Sequence, residues 1–95
     1  MLALLAGCGP IQSTGALIDA DVELEGARAA GAAAAAPYEF TSAEAYLHKA
    51  REQAGYAQYE ASIDFASKAR ELAKDARKKA VAASNAKGPD AEATP

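Results

Sequence analysis

From Ile18 to Glu25 apolar and acidic positions alternate strictly: Ile18, Asp19, Ala20, Asp21, Val22, Glu23, Leu24, Glu25. That is the period of a half-buried strand. The residue types argue the other way, because Asp, Glu and Ala are depleted in strands and no partner strand is visible. At helical spacing Leu17, Leu24 and Gly31 fall on one line, with Ala20 and Ala27 beside it. The segment is therefore expected to be a helix over residues 16–36. Ser13 or Thr14 is placed to cap its start, and the acids in its first turns suit the positive end of the dipole. The run Ala32–Ala36 prolongs it until Pro37, with the residue before it, makes it stop. Gly26 and Gly31 weaken its second half.

The next 48 positions, residues 37–84, carry the periodicity of a helical hairpin. Thr41-Ser42-Ala43-Glu44 matches a capping box, in which the Thr41 hydroxyl accepts from the Glu44 N–H and the Glu44 side chain reaches back. Phe40 stands just before that cap, with Ala45 as a weak staple partner. A helix from Thr41 to about Ala54 places Ala43, Tyr46, Leu47, Ala50 and Ala54 on one side. Gly55 is expected to end it in the left-handed conformation. A longer helix from about Tyr59 to Ser84 follows. Its inward stripe reads Tyr59, Ile63, Ala66, Ala69, Ala73, Ala76, Ala80 and Ala83, flanked by Phe65 and Leu72. Small residues three and four apart let helices approach closely, whether within one chain or between two copies. Asp64–Lys68 and Asp75–Lys79 are expected as surface pairs, and the bases Lys74, Arg77, Lys78 and Lys79 suit the C-terminal end of the dipole.

Composition narrows this further. Of 95 residues 28 are alanine, so the 51 % hydrophobic fraction overstates the core available. The mild net charge of −3 hides an acidic residue 1–36 segment (Asp19, Asp21, Glu23 and Glu25 against Arg28) and a nearly neutral hairpin. There is no basic face of the kind nucleic acid requires. Residues 85–95 (NAKGPDAEATP) hold nothing to bury and are expected to be disordered. Gly9–Gly15 (GPIQSTG) has the composition of a flexible linker. A single cysteine, Cys8, excludes an internal disulfide.

Cys8 ends the stretch Leu2-Ala3-Leu4-Leu5-Ala6-Gly7-Cys8. The motif Leu5-Ala6-Gly7-Cys8 resembles the end of a bacterial lipoprotein signal peptide. The resemblance implies acylation of the Cys8 sulfur, cleavage before Cys8, and attachment to a membrane by acyl chains. Two or more chains suffice for stable anchoring. No Lys or Arg precedes Arg28, whereas a signal peptide opens with a charged region; the true start is expected upstream. Gly9 follows Cys8, where lipoproteins kept at the inner membrane commonly have aspartate, so the resemblance implies the periplasmic face of the outer membrane. The alternative reading of Cys8 is a small core residue in a buried first helix.

Within the hairpin, Tyr59-Glu60-Ala61-Ser62-Ile63-Asp64-Phe65-Ala66-Ser67-Lys68-Ala69 resembles the second helix of a tetratricopeptide repeat, and the register puts Tyr46 at the repeat's first aromatic position and Ala50 at its small one. Gln53, Ser62 and Ala66 depart from the pattern, and no proline closes the unit. One repeat cannot form the groove that arrays build between neighbours. With Ala36-Pro37-Tyr38-Glu39-Phe40-Thr41-Ser42-Ala43-Glu44-Ala45-Tyr46-Leu47 before it, the whole chain is similar to small envelope lipoproteins of Gram-negative bacteria, a family without assigned chemistry. The resemblance implies an all-α fold: a lipid-anchored tether at residues 8–15 after a signal-peptide remnant at 1–7, an alanine-rich helix at 16–36, an antiparallel hairpin at 37–84 and a tail at 85–95.

No enzyme is expected. His48 is the sole histidine, with no nucleophile to pair with it once Cys8 is acylated. The acid pairs Glu39/Glu44 and Glu71/Asp75 read as solvated helix faces. No phosphate loop or metal cluster can be assembled, so no cofactor or metal is expected. Tyr46, Tyr56 and Tyr59 fall around the hairpin turn and, with Phe65, are either core or a patch that binds a partner, since tyrosine is favoured at interfaces. Two functions remain. In the preferred one a monomeric, lipid-anchored adaptor docks another envelope protein through the Tyr46/Tyr59/Phe65 side. In the other, a structural lipoprotein self-associates through the alanine stripe of the last helix.

Overall fold

The computed structural model describes the backbone of residues 2–93 and the side chains of residues 9–86. Among the described residues four helices follow one another: α1 (Leu2–Ala29), α2 (Ala32–Ala35), α3 (Pro37–Gly55) and α4 (Tyr59–Ala93). Among the described residues there is no strand. α1 and α4 lie side by side in the same direction, since Gly9 stands against Tyr59, Ser13 against Ser62 and Gly26 against Arg77. α3 runs opposite to both. Asp21 meets Arg51 and Arg28 meets Glu44 on its α1 side, while Glu39 meets Lys79 and Tyr46 meets Phe65 on its α4 side. The chain is an all-α, up-down-up bundle of three long helices, with α2 a one-turn bridge across one end.

The bundle is long and thin, 65 × 21 × 14 Å. Its radius of gyration is 16.8 Å, where a compact domain of this length has about 12 Å. The cause lies in the core. Among the described residues, eleven of the fourteen buried hydrophobic ones are alanine: Ala20, Ala27, Ala32, Ala36, Ala43, Ala50, Ala66, Ala69, Ala73, Ala76 and Ala80. Leu24, Phe40 and Leu47 are the large ones. A buried methyl contributes only about 0.8 kcal/mol, against ~1.5–3 for a large side chain. Cohesion therefore depends on close backbone approach over a long seam. The buried small residues on α4 recur at spacing 3 and 4 from Ser62 to Ala80, which keeps them on one face for five turns.

The segment expected as a linker, Gly9–Gly15, is helical and belongs to α1. Tertiary contact overrides its composition. Gly9 lets the ring of Tyr59 lie against the backbone. Ser13, expected as a cap, is instead 1 % exposed inside the helix and shares a 2.9 Å hydrogen bond with Ser62, itself 0 % exposed. Each hydroxyl supplies the partner that the other needs in a dry seam. α4 likewise continues to Ala93 through most of the segment expected to be disordered. A helix already formed adds one hydrogen bond per residue ordered, so propagation is easier than nucleation. The side chains of Leu5, Ala6, Gly7 and Cys8, the residues expected to direct lipidation, lie outside the described residues.

The expected helix over 16–36 is divided. α1 ends where Gly31 adopts φ +85, with its N–H bonded to the Arg28 carbonyl at 3.0 Å. α3 then starts at Pro37 rather than at Thr41. Pro37 fills the first helical position, where its missing N–H costs nothing, and the Phe40 N–H donates to the Ala36 carbonyl at 2.9 Å. Thr41 is thus an exposed residue inside the helix and makes no capping box, and Phe40 is a core residue, 5 % exposed. The earlier start also carries α3 level with Lys79, so Ala73 and Ala76, both 0 % exposed, are covered by α3 as well as by α1.

At the other end of α3, Gly55 remains helical and the left-handed residue is Ala57, φ 60. The Gln58 N–H donates to the Gln53 carbonyl at 2.8 Å and the Ala57 N–H to that of Ala54 at 3.0 Å. That is a Schellman closure with alanine in the place that suits glycine. Ala57→Gly should therefore raise stability by ~0.5–1 kcal/mol, the left-handed penalty less the entropy of glycine. Thr41→Ala should leave it within ~0.5 kcal/mol, where loss of a cap would cost about 1. Chemical denaturation with helicity as the signal separates these outcomes.

The serine pair makes a second test. Ser13→Ala alone strands the Ser62 hydroxyl in a dry seam and should cost ~1–3 kcal/mol. Removing both hydroxyls should recover much of that loss, and a double-mutant cycle with additive costs would show that the two do not interact.

Candidate functional site

Of the four aromatic residues expected to form one patch, the structure brings two together. Tyr46 on α3 and Phe65 on α4 stack with ring centroids 6.0 Å apart and planes at 27°. Both are half-buried. Tyr59 instead faces α1, its ring against Gly9. It lies 18 residues, five turns, before Arg77, which faces α1 through Gly26 and Glu23 (3.9 Å). Tyr56, the residue just after α3, is 71 % exposed at the hairpin turn. The Tyr46/Tyr59/Phe65 side is thus two different sides of α4.

The stacked pair floors a groove lined by α3 and α4 alone. Tyr38, Ser42, Ala45, Tyr46 and Lys49 come from α3, and Phe65, Ser67, Lys68, Glu71, Leu72 and Asp75 from α4. The Lys68 ammonium sits 5.6 Å from the centre of the Tyr46 ring rather than in the expected pair with Asp64. Such a cation over a ring at an exposed site is worth about 0.5–1 kcal/mol. Lys79, expected to pair with Asp75, turns across the bundle to Glu39. Tyr38, at the mouth of the groove, is 75 % exposed.

Tyr38 reaches the groove because of where the helix starts. Once α3 begins at Pro37, Tyr38, Ser42, Ala45, Tyr46 and Lys49 follow at spacings of 4, 3, 1 and 3, one helical face. The signal lay in Pro37 at the first helical position.

The groove can hold an amphipathic surface. It offers an aromatic and aliphatic floor in Tyr46, Phe65 and Leu72, hydroxyls in Ser42 and Ser67, and two cations, Lys49 and Lys68, with two carboxylates, Glu71 and Asp75. His48 and Lys49 are exposed on α3. Glu44 is held by Arg28 at 3.2 Å, and Arg28 also stands 5.3 Å from the centre of the Phe40 ring, tying α1 to the start of α3. Among the described residues no group of His, Cys, Asp and Glu could hold a metal ion. No described helix is long and apolar enough to cross a membrane. Compared with protein families, curated proteins and solved structures, the chain matches none.

Beside the groove, the hydrogen bond from Lys79 holds the Glu39 carboxyl below its ordinary range, and the Glu39 carboxylate raises Lys79. A lowered carboxyl pKa stabilises the fold above the unfolded-chain value, and that contribution is lost as pH falls through the lowered one. Glu39→Gln should therefore narrow the gap to the wild type as pH drops below the ordinary glutamate range. Thermal melts from pH 7 to pH 3 should show the two curves converging; parallel curves would mean that the pair contributes nothing.

Proposed function

We propose that this protein is a non-catalytic, lipid-anchored helical adaptor of the bacterial envelope, which holds another envelope protein against the α3–α4 groove. The observation that carries this reading is the division of surfaces. The alanine seam is used up inside one chain, with Ala69, Ala73, Ala76 and Ala80 at most 2 % exposed. The aromatic groove with Tyr38 at its mouth remains open. A chain built to self-associate through the seam would leave the seam on the outside. Lipid attachment through Cys8 rests on the motif Leu5-Ala6-Gly7-Cys8, and the address at the outer membrane rests on Gly9 after it.

A photo-crosslinking residue at Tyr38 should yield one discrete adduct in membranes, and Leu72→Asp should abolish it while helicity is kept. Adducts spread over many masses, or unchanged by Leu72→Asp, would refute the groove as a docking site. The same preparation, carrying Cys8→Ser, should sediment as a monomer. Ala76→Leu should lower its stability by ~1–3 kcal/mol through overpacking, with no change of mass. A dimer or trimer that Ala76→Leu dissociates would favour the structural lipoprotein instead.

A further inference from the structure

α1 carries a second exposed surface, on the side turned away from the bundle. Ile11, Ile18 and Val22 are 72 %, 57 % and 63 % exposed. Spacings of 7 and 4 put all three on one line, about 16 Å long, with the exposed Gly15 and Ala29 along the same line. Large aliphatic side chains set singly on a surface are ordinary; three in register on a helix make an apolar stripe.

The charges of α1 are drawn away from this stripe. Asp21 is paired with Arg51 at 3.1 Å, Glu23 with Arg77 at 3.9 Å, and Glu25 with Arg28. Asp19 is the α1 carboxylate to which no described residue is paired. The line bears no charge from Ile11 to Val22; Glu25, seven residues after Ile18, falls on it before Ala29.

We propose that this stripe lies on the lipid surface to which the chain is tethered, so that α1 rests in the membrane plane and the α3–α4 groove faces away from it. The proposal rests on the reading that Cys8 carries the acyl chains. Cys8 precedes Ile11 by three residues in the same helix, about 4.5 Å along the axis. An anchor that short holds the stripe at the bilayer at high effective concentration. Beside such an anchor, exposed aliphatic side chains leave water by settling at the headgroup boundary. A second copy fits less well, because a symmetric contact through the stripe brings Asp19 and Glu25 of both copies together.

The test uses the one native thiol and the absence of tryptophan. The full chain is coupled through Cys8 to a maleimide-headgroup lipid in phosphatidylcholine vesicles whose acyl chains carry bromine, a contact quencher of indole. With Ile18→Trp the emission should fall at least twofold and shift to the blue relative to unbrominated vesicles. With Glu71→Trp, in the groove, it should not change. An unquenched indole at position 18, whether in water or covered by another copy, overturns the proposal. Because this anchor is supplied chemically, failure of Cys8 lipidation is read separately: a clickable fatty acid should label the wild type in cells and not Cys8→Ser, and equal labelling sinks the lipoprotein reading alone.

Discussion

The rest of this structure depends on the close approach of three helix backbones along a seam of alanine. Each buried methyl contributes little, so the bundle gains cohesion by length and proximity rather than by large side chains. That constraint accounts for the 65 Å length and the 14 Å thickness. It also accounts for the tolerance of glycine at Gly9 and Gly26, where Tyr59 and Arg77 lie against the α1 backbone. A narrow seam has no room for error; among the described residues Leu24, Phe40 and Leu47 are its fully buried large side chains, with Leu17, Tyr46, Phe65 and Leu72 packed at its margin.

A smooth seam of small residues specifies register poorly, since a slip of one turn sets alanine against alanine again. The polar contacts supply what the methyls do not. Ser13 and Ser62 are bonded to each other where no water reaches them, and a shift along the axis would strand both. Arg28, between Glu25, Glu44 and the ring of Phe40, fixes α1 against α3. Glu39 and Lys79 do the same for α3 against α4. These outer pairs are half-exposed and individually weak, and their value lies in direction more than in energy.

The same economy shapes what the molecule presents to its surroundings. A core made of alanine leaves the larger apolar side chains for the surface. Beside the exposed Tyr56 and Val81 they form two groups: Tyr38, Tyr46, Phe65 and Leu72 along the α3–α4 groove, and Ile11, Ile18 and Val22 along the back of α1. One bundle thereby offers two unlike apolar faces, one aromatic and mixed with charge, the other aliphatic and uncharged from Ile11 to Val22. In the proposed adaptor, one face lies toward the anchor and the other toward the partner.

Residue periodicity alone determined that the chain is helical, that α3 and α4 form a hairpin, and that Ala66, Ala69, Ala73, Ala76 and Ala80 face inward, because spacing on a helix is a local property. It also put Leu24, Ala20 and Ala27 on the buried side of the first helix. The ends of the helices were not local. Gly9–Gly15 has the composition of a linker and is helical because Tyr59 and Ser62, some fifty residues away, pack against it. Thr41 reads as a cap only while the chain before it is taken to be non-helical; Pro37 and the buried Phe40 move the start one turn earlier. The candidate site divided in the same way. The pairing of Tyr46 with Phe65 follows from the hairpin register, but the turning of Tyr59 toward α1 was decided by where the first helix packs, and the place of Tyr38 by where α3 begins. A sequence states which residues share a face of a helix; which neighbour that face meets is a property of the assembled bundle.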